Sequence, residues 1–152
     1  MATITPFLWL NHPIDEVIAY YSSVFDGVKV DDEQRMPDGS LLTATVTIAG
    51  QRVGLLGGGP EVPPSDAFSL MVSVETQDEV DRYWNTLTAD GGQESQCGWL
   101  KDKYGIAWQI IPTALGRLIG DPDSARAGRA MQAMFAMRKI VIADLEAAAA
   151  AG

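Results

Sequence analysis

Asp15-Glu16-Val17 and, later in the chain, Asp78-Glu79-Val80 are two copies of one short stretch. The same offset relates Tyr20 to Tyr83. Apolar residues around each copy recur at helical spacing, which predicts one helix in each half of the chain. A predicted strand precedes each helix and further strands follow it. Because the order of elements repeats around the matching stretch, we expect two copies of one βαβββ module.

The two modules are predicted to span residues 3–59 and 66–112, joined by a proline-rich linker at 60–65. Thr76-Gln77-Asp78-Glu79 predicts a capping box that begins the second helix. The other expected elements are strands over 3–10, 28–36, 41–49, 52–56 and 67–74 and a helix over 13–25. Residues 1–112 are therefore expected to form a single α+β domain of paired modules.

Residues 113–152 are predicted to form a helical extension at the carboxyl end. Asp121-Pro122 is typical of a helix start, with Asp as the cap and Pro at the first helical position. Met131, Met134, Phe135 and Met137 lie along one side of the helix that follows, and 142–150 predicts another short helix. The apolar stripe is compatible with packing on the protein's own sheet or on a second subunit.

Composition limits the possible partners. The 152 residues suffice for one domain, and 47% hydrophobic against 20% charged residues is an ordinary globular balance. A net charge of −9 opposes contact with nucleic acid or anionic lipid. One cysteine excludes an intrachain disulfide, and neither a signal peptide nor a membrane span is visible. We therefore expect a cytoplasmic protein without nucleic-acid or membrane partners.

Aromatic residues at inward strand positions are the candidate walls of a cleft between the modules. These are Phe7, Trp9, Phe68, Trp99 and Trp108, and Leu70 is a further candidate beside Phe68. Each could equally be an ordinary core residue. Tryptophan is less often fully buried than Phe or Leu, so four Trp in a small domain modestly favour a cleft wall.

The longer motifs of the second half resemble a known family. The resemblance lies in Glu75-Thr76-Gln77-Asp78-Glu79-Val80-Asp81-Arg82, Gln96-Cys97-Gly98-Trp99-Leu100-Lys101-Asp102-Lys103-Tyr104-Gly105 and Trp108-Gln109-Ile110-Ile111-Pro112, together with Met131-Gln132-Ala133-Met134. They resemble the PhnB-like branch of the vicinal oxygen chelate superfamily, which includes glyoxalases, bleomycin-resistance proteins, fosfomycin-resistance transferases and extradiol dioxygenases. Members of this branch are often described as demethylubiquinone methyltransferase-like. The resemblance implies the paired-module fold and a homodimer, which favours a subunit contact for the methionine stripe.

The resemblance also implies where a divalent metal would lie. Enzymes of the superfamily hold it with His, Glu or Gln side chains, and the matching places here fall near Pro6, Gly54, Ser69 and Gln109. Only Gln109 has a suitable side chain, and one neutral amide cannot compete with water for the ion. We therefore expect neither a metal nor another cofactor.

Other chemical motifs are weak. His12, the one histidine, lies at a strand-to-helix turn. Cys97 is either a buried thiol beside Trp99 or a ligand contact, and the family motif places it near the cleft. Gly57-Gly58-Gly59 is followed by prolines rather than by a helix, so a phosphate-binding loop and a methyltransferase of the common kind are disfavoured.

The leading hypothesis is a homodimeric small-molecule-binding protein without a metal. An apolar or aromatic ligand would contact Trp9, Phe68, Trp99 and Trp108, with Cys97 and Gln109 as polar contacts. The alternative is a metal-dependent lyase, isomerase or dioxygenase that receives ligands from a partner subunit or from its substrate. No catalytic residue is assigned, and whether the protein is an enzyme stays open.

Overall fold

The computed structural model describes residues Met1–Gly152, which form two compact units, Met1–Pro63 and Pro64–Gly152. The first contains β1 (Phe7–Leu10), α1 (Ile14–Val24), β2 (Lys29–Arg35), β3 (Leu41–Ile48) and β4 (Gln51–Gly57). The second contains β5 (Leu70–Val74), α2 (Gln77–Thr88), β6 (Gln93–Glu94), β7 (Trp99–Lys101), β8 (Ala107–Pro112), α3 (Thr113–Ile119), α4 (Ser124–Phe135) and α5 (Ile142–Ala150). No helix is both long and apolar enough to cross a membrane.

The first unit is a four-stranded sheet in the order β1-β4-β3-β2. β1 runs parallel to β4, and the other neighbours are antiparallel. Successive strand residues face opposite sides, and α1 packs on β3 and β4. Leu8 and Leu10 are buried, whereas Phe7 and Trp9 are 56% and 42% exposed. β1 therefore presents two aromatic side chains on the face away from the helix.

The second unit repeats this topology. Its strand order is β5-β8-β7-β6, with β5 parallel to β8 and the other pairs antiparallel. α2 packs on β7 and β8, and Leu100, Trp108 and Ile110 are buried along with Trp84 of the helix. The repeated strand order confirms the predicted α+β fold of paired βαβββ modules.

The two module helices begin differently. The Thr76 hydroxyl accepts a hydrogen bond from the Glu79 amide, and the Glu79 carboxylate accepts from the Thr76 amide at 3.0 Å and the Glu75 amide at 2.9 Å. This capping box confirms the sequence prediction. α1 follows Pro13 and has no side-chain cap.

The three carboxyl-terminal helices pack on one another within the second unit. Their shared core consists of Leu115, Leu118, Ala130, Ile140, Leu145 and Ala149. The prediction that Asp121 caps a helix beginning at Pro122 is wrong, because α4 begins at Ser124 and its cap is Asp123. One Asp123 oxygen accepts from two backbone amides of the first turn, whereas Asp121 accepts from the Asp123 amide outside the helix.

The methionine stripe is divided between two environments. Met134 and Met137 pack against the core of the carboxyl-terminal helices. Met131 and Phe135 are 37% and 55% exposed. Packing within the protein's own unit therefore accounts for half of the stripe, and a subunit contact through the other half stays a prediction.

Candidate functional site

The second sheet brings two predicted ligand contacts together on its face away from α2. Trp99 of β7 pairs with Gln109 of β8, which pairs in turn with Met71 of β5. Directly paired residues lie on the same face of a sheet. The Gln109 Nε2 donates to the Ser69 hydroxyl at 2.9 Å. An aromatic side chain and an oriented amide are thus neighbours.

Trp108 lies on the opposite face, because consecutive strand residues alternate. It is 3% exposed, and its indole Nε1 donates to Asp102 Oδ2 at 2.9 Å. Asp102 is itself 2% exposed, and its Oδ1 accepts from the Tyr104 and Ile106 amides. The hydrogen bonds of Asp102 with Trp108 and with the two amides stabilise the turn between β7 and β8. Ligand contact by Trp108 stays a prediction.

Cys97 contacts the carboxyl-terminal segment. Its amide donates to the Met137 carbonyl at 2.9 Å, and its thiol donates to the Met134 carbonyl at 3.6 Å. The Gly98 amide donates to the Arg138 carbonyl at 2.7 Å. Cys97 has a φ of 56°, so the chain turns sharply just before β7. The segment after α4 therefore helps to position Trp99, and a ligand role for Cys97 stays a prediction.

α2 also contacts the segment that follows α4. The Gln77 amide group donates to the Ile140 carbonyl and accepts from the Ile142 amide. Lys139 lies 2.8 Å from Asp81, and the hydrogen bond from Lys139, followed by that from Gln77, lowers the pKa of Asp81. Paired polar side chains thus join α2 to the segment that contacts Cys97 and Gly98.

Two further predicted contacts are accessible. Phe68 lies just before β5 and is 52% exposed. Trp9 belongs to the first unit, where its indole donates to the Gly58 carbonyl at 3.0 Å. Ligand contact by either residue stays a prediction.

The positions implied for a metal do not supply a suitable donor set. In the first unit, the Gly54 amide donates to the Pro6 carbonyl, and a Cβ at Gly54 would lie 2.2 Å from the Phe7 ring. That ring occupies the space that a ligating side chain would need. In the second unit, Ser69 and Gln109 hydrogen-bond to each other. No group of three or more His, Cys, Asp or Glu side chains is arranged to hold a metal ion.

A cavity of about 190 Å³ adjoins Trp99 on the second sheet. Its lining includes Trp99, Lys101, Gln93, Ser95, Asp66 and Ala107. Lys101 follows Trp99 by two residues on β7 and therefore shares its face. The cavity combines an aromatic wall with an ammonium group, neutral polar groups and the acidic residues Asp66 and Glu94, which suits a small polar-ended molecule.

Sequence reasoning did not single out Lys101, Asp66 or Asp102. Strand alternation within Trp99-Leu100-Lys101 could have placed Lys101 beside Trp99. Asp66 is distant from Lys101 in the chain, so no local pattern predicts their contact. The burial of Asp102 depends on its contacts with two turn amides and with Trp108, which no local pattern predicts.

Comparisons with known proteins agree with this architecture. Residues 2–111 match the family model for 3-demethylubiquinone-9 3-methyltransferase. A solved PhnB protein from Bacillus cereus is 27% identical, with a TM-score of 0.62 and coverage of 74% of this chain and 100% of that one. The Pseudomonas aeruginosa protein PA1353 is 18% identical, with a TM-score of 0.59 and coverage of 74% and 98%.

More distant structures share the fold alone. FosX from Listeria monocytogenes, solved with Mn(II) and a sulfate ion, is 15% identical, with a TM-score of 0.55 and coverage of 72% of this chain and 89% of that one. Among curated proteins, none matches this chain. The family match covers well over half of the residues and coincides with both modules. This chain therefore belongs to the 3-demethylubiquinone-9 3-methyltransferase family, within the PhnB-like branch of the vicinal oxygen chelate superfamily.

Proposed function

We propose that the protein binds a small apolar or aromatic molecule at the Trp99–Gln109 face of the second sheet, without a resident metal ion. The observation that carries the proposal is that Trp99, which lines a cavity of about 190 Å³, pairs across the sheet with Gln109. Pockets for small molecules typically join apolar walls to a few placed polar groups. This face has both.

The two side chains support binding in different ways. An indole ring offers a large rigid surface against which an aromatic ring can stack. The Gln109 amide is held by Ser69 through one N–H, so its remaining donor and acceptor are available to orient a polar group of the ligand. A preoriented amide loses little conformational freedom when the ligand binds.

The donor set argues for binding without a metal. Pro6 and Gly54 offer no side-chain ligand, and Ser69 and Gln109 are neutral. Divalent ions are held in proteins by several carboxylate, imidazole or thiolate groups. We therefore assign no metal-dependent step to this chain and no reaction to this face.

A neutral aromatic probe tests the proposal. After treatment with EDTA, the full-length protein is titrated with benzyl alcohol while its ¹⁵N amide and indole NMR signals are followed. We expect saturable shifts at Trp99 and Gln109, and weakening by at least about fivefold in Trp99→Ala, because ring stacking contributes on the order of 1 kcal/mol. Phe135→Ala, which removes an exposed aromatic residue of α4, is the matched control and should bind normally.

The absence of saturable shifts at Trp99 would overturn the proposal, and so would a set of saturable shifts that survives Trp99→Ala unchanged. One Zn, Mn, Fe or Ni per purified chain by elemental analysis, lost in Gln109→Ala, would also overturn it. Binding of the probe only after a divalent ion is added would count against the proposal in the same way.

We also propose a homodimer that forms through the exposed part of the methionine stripe. Met131 and Phe135 are one helical turn apart on α4 and both are exposed. Light scattering should give the mass of two chains, and Phe135→Asp should shift the mass toward one chain. A wild-type mass of one chain at working concentration would contradict the proposal.

A further inference from the structure

Lys101 at the edge of the cavity already binds a carboxylate from its own chain. Its Nζ lies 3.1 Å from Asp66 Oδ1. The Lys101 side chain is 34% exposed, whereas that of Asp66 is 69% exposed. An anionic oxygen thus fits beside the ammonium group, and the group that supplies it comes from a solvent-facing turn.

The Asp66 carboxylate is a weak competitor for this position. Exposed ion pairs add little to stability, because both groups are well solvated when apart. Asp66 lies in the turn before β5, outside any helix or strand. An incoming carboxylate would replace one ion pair with another and would bring an apolar body that can contact Trp99.

Glu94, the second acidic residue that lines the cavity, already has two partners. Glu94 accepts a hydrogen bond from Trp84 Nε1 at 2.8 Å and lies 3.7 Å from Arg138. Its charge is therefore directed toward α2 and the carboxyl-terminal segment. The Gln93 amide and the Ser95 hydroxyl line the same cavity and add neutral donors near Lys101.

We propose that this cavity recognises the carboxylate of a small aromatic acid, with Lys101 as the residue that binds the anionic group in place of Asp66. The ring would lie against Trp99. The volume of about 190 Å³ is below the roughly 300 Å³ at which drug-sized pockets begin, so a single-ring acid is the appropriate size. This inference rests on the proposed function and names the ligand class for the same face.

The test compares benzoate with benzyl alcohol, which has a similar ring and no charge. Both probes are titrated into the full-length protein, and dissociation constants come from NMR shifts. Benzoate should bind more tightly than benzyl alcohol. Lys101→Met should weaken benzoate by about three- to fivefold, as loss of a partly exposed ion pair implies, and should leave benzyl alcohol unchanged. Lys101→Arg should retain most of the benzoate affinity.

Two further variants separate the site from general charge effects. Lys103→Met removes the same charge two residues away, and benzoate binding should stay within about twofold of wild type because exposed charges are screened. Asp66→Asn removes the competing carboxylate and should tighten benzoate by about two- to fivefold.

The outcomes distinguish this inference from the function on which it rests. If benzyl alcohol binds at Trp99 but benzoate is no tighter and is indifferent to Lys101→Met and Asp66→Asn, the inference fails and the proposed function stands. If neither probe binds at Trp99, both fail. Equal losses in Lys101→Met and Lys103→Met would also overturn the inference, since they would indicate a general charge effect.

Discussion

The two units share a strand order, but the residues at one equivalent position of their sheets differ in chemistry and in exposure. In the first, Phe7 pairs with Gly54, and its ring covers the glycine. In the second, Met71 pairs with Gln109, whose amide is hydrogen-bonded to Ser69 beside an aromatic wall. One sheet fills the position with its own side chain, and the other keeps polar groups accessible. A repeated fold therefore need not carry repeated chemistry.

The two units also differ in a turn carboxylate, and substituting the buried one should give the largest loss of stability. Asp102 is a buried carboxylate that accepts from two backbone amides and the Trp108 indole. Asp102→Ala should cost about 3–5 kcal/mol in free energy of unfolding, because it leaves these donors without their acceptor. Urea denaturation measures this loss.

Asp38 of the first unit is the matched control. Its exposed carboxylate accepts from the Ser40 amide and hydroxyl, and the Ser40 hydroxyl above all lowers the pKa of Asp38. Asp38→Ala should cost far less, because water can replace the lost acceptor. Equal losses in the two variants would contradict the distinction between the turns.

A side chain at Gly54, which the Phe7 ring covers, should give the next largest loss of stability. Gly54→Ala should lower the free energy of unfolding by about 1–3 kcal/mol, because the new methyl group displaces the Phe7 ring. Combining it with Phe7→Ala should remove most of the additional loss. A Gly54→Ala protein as stable as wild type would show that the ring does not hold this position.

The capped helix predicts a pH effect that α1 lacks. The Glu75 and Thr76 amides lower the pKa of Glu79 in the folded protein. Stabilisation by Glu79 is therefore complete above its ordinary pKa and is lost as the pH falls through the lower, folded-state value. The melting temperature of the wild type should fall as the pH drops from the ordinary pKa of Glu79 to its folded-state value. In Glu79→Gln this fall should be smaller. An unchanged acid decline would contradict this role.

The smallest expected effect is a gain in stability at the β3–β4 turn. Ala49 has a φ of 47° and precedes Gly50 at 84°. Left-handed backbone disfavours Ala, whereas Asn-Gly is the preferred pair for tight hairpins of this kind. Ala49→Asn should raise the free energy of unfolding by up to about 1 kcal/mol in urea denaturation. A loss of stability would contradict the assignment of strain to Ala49.

Local patterns predicted the repeated modules and the Thr76–Glu79 cap, because both depend on residues close in sequence. The start of α4 was placed wrongly because Asp121 and Asp123 are both good caps. Only the path of the chain decides which aspartate faces the first-turn amides.

The candidate site depends more on contacts between distant residues. Trp108 and Gln109 are adjacent and both suit a cleft, yet strand alternation lets only one of them share the face of Trp99. The contact between Lys101 and Asp66 links β7 to the turn before β5 and leaves no periodic signal. Strand alternation could place Trp99 and Gln109 on one face, whereas the contact between Lys101 and Asp66 required the three-dimensional structure.

We propose that the second sheet, rather than the covered position of the first, binds a small molecule without a metal. The most direct measurement is the map of ¹⁵N shifts caused by benzyl alcohol in EDTA-treated protein. We expect saturable shifts centred on Trp99, Lys101 and Gln109 that Trp99→Ala removes. Shifts confined to Phe7 and Gly54, or binding that appears only when Mn²⁺ is added, would contradict it.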